Sequence, residues 1–303
     1  MRSKMLTTLI ITALMMTASP FALEQLNRLT SAAESWTRVQ VLQSVLAASA
    51  SERETQSVAP VAPVANQDFR WSGRIAEGRV IEIKGILGDV HAEPSAGNEV
   101  EVTATKRGSK SDPAGVEVRV LEHAGGVTIC AIYPSSNPGR PNGCQAGDNW
   151  ESHVSNNDVR VNFTVRVPRG VRFNGRTVNG DIETGRLDSD VDASTVNGSI
   201  HIAAAGVAHA MTVNGSITAS MGNGAWTSPL EFKTVNGAIT LDLPADTNAE
   251  VRAQTMNGDI YSDFPLTLTG RISRRQMNGT IGGGGRDLSL KTVNGDIRLR
   301  RLS

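Results

Sequence analysis

Residues Thr177–Thr184 read TVNGDIET, and the phrase returns as TVNGSIHI at Thr195–Ile202, TVNGSITA at Thr212–Ala219 and TVNGAITL at Thr234–Leu241. Three further copies follow: TMNGDIYS at Thr255–Ser262, QMNGTIGG at Gln276–Gly283 and TVNGDIRL at Thr292–Leu299. The shared pairs are Asn179 and Gly180, Asn197 and Gly198, Asn214 and Gly215, Asn236 and Gly237, Asn257 and Gly258, Asn278 and Gly279, and Asn294 and Gly295. They stand 18, 17, 22, 21, 21 and 16 residues apart. A unit that short cannot close a core alone, so it must bury its apolar side against its neighbours. The segment ILGDVHAE, Ile86–Glu93, reads as a degenerate earlier copy.

Two architectures accommodate the phrase. If the strand is continuous, Val178, Gly180 and Ile182 point one way and Thr177, Asn179 and Asp181 the other, which puts the apolar positions inside a stacked coil. If Asn-Gly is instead a two-residue type I′ turn, Val178 and Ile182 fall on opposite faces of a hairpin. The residue after Gly is Asp, Ser, Ser, Ala, Asp, Thr and Asp in turn, small and mostly polar, as an outward position requires. The expected fold is therefore all-β, a repeat β-solenoid over residues 174–303, with an antiparallel β-meander of Asn-Gly hairpins as the alternative. In the solenoid successive Asn residues stack, Val178 and Ile182 both face inward, and Thr, Asn and Asp or Ser line the outside.

Upstream, residues 69–173 alternate apolar and polar positions in short bursts such as RVIEIKG, NEVEVTATKRG and NDVRVNFTVRVPRG, separated by Gly, Pro, Asn and Asp. That is a strand-rich β portion with one buried face per strand. Its two cysteines, Cys130 and Cys144, are the only ones in the chain and flank the loop AIYPSSNPGRPNG. Two thiols fall short of the four ligands of structural zinc, so a disulfide is expected wherever the compartment is oxidising. Residues 1–22 carry a basic start at Arg2 and Lys4, a short apolar run and the small residues Ala18, Ser19 and Ala22, the layout of an export signal peptide. The apolar run falls short of the roughly 20 residues of a membrane span. Residues 23–51 place Leu26, Leu29, Ala33, Trp36 and Val39 at helical spacing, and residues 52–68 form an Ala/Pro linker.

The repeated T-V-N-G-[DSA]-I unit behind a signal peptide resembles the bacterial putative-adhesin family of β-strand repeat proteins, a family of unknown function. The likeness covers residues 69–302 and implies an exported β-repeat body with no catalytic residues to carry over. The long Cys130–Cys144 loop and the predicted helix depart from the simplest members.

Lys plus Arg equal Asp plus Glu at 30 each, so no net field draws the chain to nucleic acid. Aromatic residues make up 4%, too few for a stacking platform. His91, His123, His153, His201 and His209 lack metal-ligand spacing, although His201 and His209 could meet across neighbouring coils. The run IGGGGRD, Ile281–Asp287, lacks the Lys-Ser/Thr pair of a phosphate loop and reads as an irregular turn. Asp181, Asp259 and Asp296 are the acids of the repeat; Ser, Ala or Thr replaces them elsewhere, so they read as solvated surface groups rather than a glycosidase pair. The expectation is a non-enzymatic chain without cofactor or metal, exported to the periplasm, cell surface or medium. It would be an adhesion or binding module for an envelope polysaccharide or protein, or else an envelope scaffold that self-associates through its coil edges.

Overall fold

The computed structural model describes residues 67–302, apart from 149, 223–225, 227 and 270–272. The predicted signal peptide, the predicted helix 23–51 and the linker up to residue 66 lie outside the described residues. Among those described, the strands are β1 (Gln67–Gly73), β2 (Val80–Lys84), β3 (Val90–Pro94), β4 (Val100–Arg107), β5 (Glu117–His123), β6 (Gly126–Ile132) and β7 (Arg160–Val167). The repeat supplies β8 (Arg172–Arg176), β9 (Ile182–Leu187), β10 (Val191–Ser194), β11 (Ile200–Ala204), β12 (Ala208–Met211), β13 (Ile217–Met221), β14 (Leu230–Lys233) and β15 (Ile239–Leu243). The remainder are β16 (Ala249–Gln254), β17 (Ile260–Ser262), β18 (Leu266–Leu268), β19 (Gln276–Ile281), β20 (Asp287–Lys291) and β21 (Ile297–Arg301).

These strands form two sheets. Sheet A runs β1-β4-β7-β3-β9-β11-β13-β15-β21-β17 and sheet B runs β18-β19-β16-β20-β14-β12-β10-β8-β2-β6-β5. From β8 to β15 the chain alternates between them, and neighbouring coils pair in parallel: β9 with β11, β11 with β13 and β13 with β15 in sheet A, and β8 with β10, β10 with β12 and β12 with β14 in sheet B. Residues of identical role therefore fall opposite one another. Ile182, Ile200, Ile217, Ile239 and Ile297 form one inward row, each 0% exposed. Phe173, Val191, Ala208, Leu230 and Leu288 form its counterpart in sheet B. Each Ile, Val, Leu or Phe of these rows contributes about 1.5–3 kcal/mol by leaving water.

The solenoid expectation holds, with three corrections. First, T-V-N-G is neither a continuous strand nor a hairpin turn. It is the corner where the chain leaves sheet B for sheet A, and its Asn forms a single-residue parallel bridge with the Asn of the next coil. Val178 is buried, whereas Val196, Val213, Val235 and Val293 are half-buried.

Second, QMNGTIGG is not a coil. Its residues form β19, antiparallel to both β16 and β18, with Asn278 opposite Arg252. Third, coil order departs from chain order at the C-terminus. β20 lies between β14 and β16, and β21 between β15 and β17, so Asn294 bridges Asn236 on one side and Asn257 on the other.

Both sheets continue without a break across residue 173. β2 pairs with β8 and β3 with β9, and Leu87 of the degenerate copy bridges Asn179. β1 takes in Gln67 and Asp68, the last residues of the linker range. Antiparallel strands close the N-terminal end of each sheet, β1 on β4 and β5 on β6.

Candidate functional site

At the corner, every conserved-looking feature of the repeat has a stacking task. Asn197 Nδ2 donates to Asn179 Oδ1 at 2.8 Å, Asn214 to Asn197 and Asn236 to Asn214 at the same distance, Asn294 to Asn236 at 2.7 Å and Asn257 to Asn294 at 2.8 Å. Asn278 stands outside this ladder. The Thr residues, expected outside, are buried: Thr177 is 1% and Thr234 1% exposed. Their hydroxyls donate across the stack to the corner Gly carbonyl, Thr195 to Gly180 at 3.0 Å and Thr212 to Gly198 at 2.9 Å.

A Cβ on Gly198 would lie 2.0 Å from the Gly180 oxygen, and one on Gly215 1.9 Å from the Gly198 oxygen. Glycine is therefore required by close approach of coils. Of the seven Asn-Gly glycines only Gly295 has positive φ, and none of the Asn does, which rules out the type I′ turn. Two acids of the repeat are partnered too: Asp181 Oδ1 accepts from the Ser199 backbone N–H at 2.7 Å, and Asp296 Oδ1 from that of Asp259 at 3.0 Å. They tie coil to coil and are not merely solvated. With its groups so committed, the corner is structural.

The outward side of sheet B is different. Reading across β2, β8, β10, β12 and β14, one row is Glu82, Asn174, Asp192, His209, Glu231 and the next is Lys84, Arg176, Ser194, Met211, Lys233. Acids, amides and bases mix in these rows, and no two neighbours within either row are the same residue. Over one end of this face folds the 133–159 loop, held by the Cys130–Cys144 disulfide. Cys130 is fully buried on β6. Tyr133 anchors the root of the loop, its hydroxyl donating to the Val159 carbonyl at 2.7 Å; burial pushes that phenol well above its ordinary range.

The loop brings main-chain groups to buried charges. Lys84 Nζ donates to the Gln145 carbonyl at 2.6 Å and the Gly147 carbonyl at 2.5 Å, and lies 3.5 Å from Glu82. Burial pulls Lys84 below the ordinary lysine value, against the opposing pull of Glu82. Glu82 Oε2 accepts from Thr128 Oγ1 at 2.8 Å and from the Gly147 N–H at 3.1 Å. Arg176 reaches Asp148 at 2.6 Å and Glu82 at 3.7 Å. These charges are worth keeping only as a matched set, since removing one partner strands the other in low dielectric.

Beside the loop opens a cleft of about 310 Å³, lined by Asp148, Arg176, Asp192, Ser194, His209 and Glu231 among others. His209 Nε2 donates to the Pro229 carbonyl at 2.9 Å. A carbonyl only accepts, so Nε2 carries the proton. His209 is thus a cleft residue, while His201 lies on β11 in the other sheet, and the two do not meet. Of the other histidines, His91 lies 3.6 Å from Glu183, His123 sits beside Thr128 at 3.1 Å, and His153 belongs to the disulfide loop. Among the described residues no group of His, Cys, Asp and Glu could hold a metal ion. Ile281–Asp287 is an irregular turn with Gly282, Gly284 and Gly285 at positive φ. The cleft is invisible as a motif, because its residues come from separate coils and share no spacing pattern.

Among solved structures, a putative cell adhesion protein from Clostridium sporogenes is similar at 10% identity and a TM-score of 0.49, over 78% of this chain and 100% of that one. A putative adhesin from Bacteroides fragilis is similar at 12% identity and 0.38, over 80% and 100%. A putative lipid binding protein from Parabacteroides distasonis is similar at 11% and 0.22, over 78% and 97%. No curated protein matches the chain in sequence. The family described as Toastrack DUF4097 matches residues 176–300, a span that opens on the last residue of β8, closes within β21 and contains every Asn-Gly pair of the repeat. Over those residues the chain is similar to the Toastrack DUF4097 family.

Proposed function

We propose that this protein is a non-catalytic binding module of the cell envelope, which holds an envelope polysaccharide or protein on the outward side of sheet B. The observation that carries the reading is the charged cleft beside the disulfide-held loop, the one outward surface described above whose polar groups are not consumed by stacking. Export is supported by the signal-like residues 1–22 and by the disulfide, which persists in oxidising compartments. Among the described residues no helix is long and apolar enough to cross a membrane.

The test is retention of the purified chain on envelope polysaccharide and envelope protein fractions, comparing Glu231→Arg in sheet B with Thr218→Arg on the outward side of sheet A. Loss of retention with the first alone supports the reading; loss with the second alone overturns it.

A second reading, the self-assembling scaffold, is favoured by one feature. The edge strands β17 and β18 lie at the same end of the molecule and expose Tyr261 at 50% and Leu268 at 40%. Exposed edges and apolar side chains together invite pairing with another chain. A sedimentation coefficient that rises with concentration, and stops rising in Tyr261→Glu, would favour the scaffold.

A further inference from the structure

On the outward side of β10, Asp192 and Ser194 stand two residues apart, and neither has the partner that its surroundings call for. Ser194 is 5% exposed and its Oγ is buried with no hydrogen-bond partner. Among the described residues, the Asp192 carboxylate has no hydrogen bond and no ion pair of its own, and feels Arg176 and His209 only through space. A buried hydroxyl and a half-buried carboxylate left in that state each cost free energy, so their retention side by side in one cleft points to a ligand that satisfies both.

Charge identifies the ligand's polar end. Around the cleft each other charge is matched within the protein: Arg176 with Asp148 and Glu82, Lys233 with Glu231 at 2.6 Å, and Lys84 with Glu82 and two loop carbonyls. Asp192 is the acid left over. Burial holds its carboxyl above the ordinary value, against the attraction of Arg176 and His209. A primary ammonium has three donors, enough to reach Asp192, Ser194 Oγ and a third acceptor. The volume of about 310 Å³ has room for a sugar ring rather than a slender alkylamine, which would leave much of it unfilled. Met211 and the His209 ring offer the ring a less polar wall.

Resting on the assignment of sheet B as the binding face, we infer that this cleft is a site for an amino-sugar unit with a free ammonium, held by Asp192 and Ser194, within a polysaccharide. Calorimetric titration of the full chain with a glucosamine oligomer and with its N-acetylated counterpart tests it. The deacetylated oligomer should bind at least about tenfold more tightly, because acetylation removes the charge that answers Asp192. Asp192→Asn should abolish that difference while leaving the melting temperature no lower than in the wild type, which separates lost binding from lost folding.

Equal affinity for the two oligomers, or an Asp192→Asn variant that still discriminates, overturns the inference. So does a lysine oligomer that binds as tightly as the glucosamine oligomer with the same dependence on Asp192, since the site would then be one for a basic protein. Retention on envelope fractions through sheet B without dependence on the amine would overturn this inference and leave the binding-module reading standing. Absence of any retention would overturn both.

Discussion

The Asn-Gly corner and the cleft wall are built by the same coils, a few residues apart, yet one repeats and the other does not. At the corner, six of the seven copies place Asn on Asn, Gly on Gly and Thr under the Gly carbonyl. Across the outward side of sheet B, the equivalent positions read Glu82, Asn174, Asp192, His209 and Glu231. The difference follows from what each position touches. A corner residue packs against its own copy in the next coil, so the identical environment selects the identical residue. An outward residue of sheet B meets water or the disulfide loop, and stacking places no demand on its chemistry. In this solenoid repetition marks structure, and departure from repetition marks the surface available for a specific task.

The sharpest way to break that comparison is to put a side chain into a corner. Gly198→Val would drive Cβ onto the Gly180 oxygen, and we expect a loss of about 3 kcal/mol or more in denaturant unfolding. Gly279→Ala, in the copy that is not a coil, meets Leu268 Cδ2 at 3.0 Å as its nearest atom and should cost a small fraction of that. Equal losses at the two positions would mean that the repeat motif is required for some reason other than coil stacking.

The cleft wall should show its own dependence on the loop. The double variant Cys130→Ser, Cys144→Ser opens a link spanning 14 residues, with an expected loss of roughly 2–3 kcal/mol. Because Lys84 and Arg176 would lose the carbonyls and carboxylate that the loop supplies, the loss should be accompanied by faster hydrogen exchange in β2 and β8 but not in β13 or β15. Uniform exchange along the stack would show that the loop braces the whole solenoid.

Smaller effects sharpen the corner. Thr212→Val removes the hydroxyl that donates to Gly198 and should cost about 1 kcal/mol. Asn214→Ala, in mid-ladder, should cost about the same, while Asn278→Ala should be close to neutral; thermal unfolding of the three variants decides this.

The smallest effect has the opposite sign. Burial raises the Asp192 carboxyl above its ordinary value of 3.8, so its native state favours the proton, and stability from this group is present at low pH and lost as pH rises through the raised value. Asp192→Asn should therefore stabilise the protein slightly at neutral pH and leave it unchanged below pH 3.8. A destabilised variant at neutral pH would show that Asp192 serves the fold rather than a ligand.

The repeat made the solenoid legible because a phrase copied at near-constant spacing can bury itself only against its own copies. The inward Ile row and the Asn ladder were legible for the same reason. One further signal was present and unread: Gln276 replaces Thr in the sixth copy alone. Since the Thr hydroxyl fastens each corner to its neighbour, the copy without it forms β19 instead. The alternation of residues 69–173 foretold strands, and the Cys130–Cys144 link followed from cysteine count and context.

The sequence by itself therefore determined the all-β class, the stacking partners of the first coils and the disulfide, because each depends on local periodicity or on a pair with no rival. Only the tertiary structure decided that T-V-N-G turns a corner, that β20 and β21 insert between earlier strands, and that Asp192, Ser194, His209, Arg176 and Asp148 share a cleft. Those outcomes depend on contacts between residues distant along the chain, whose side chains carry no common pattern. A repeat spells out what each coil asks of its neighbour, but not what the finished stack presents to the solvent.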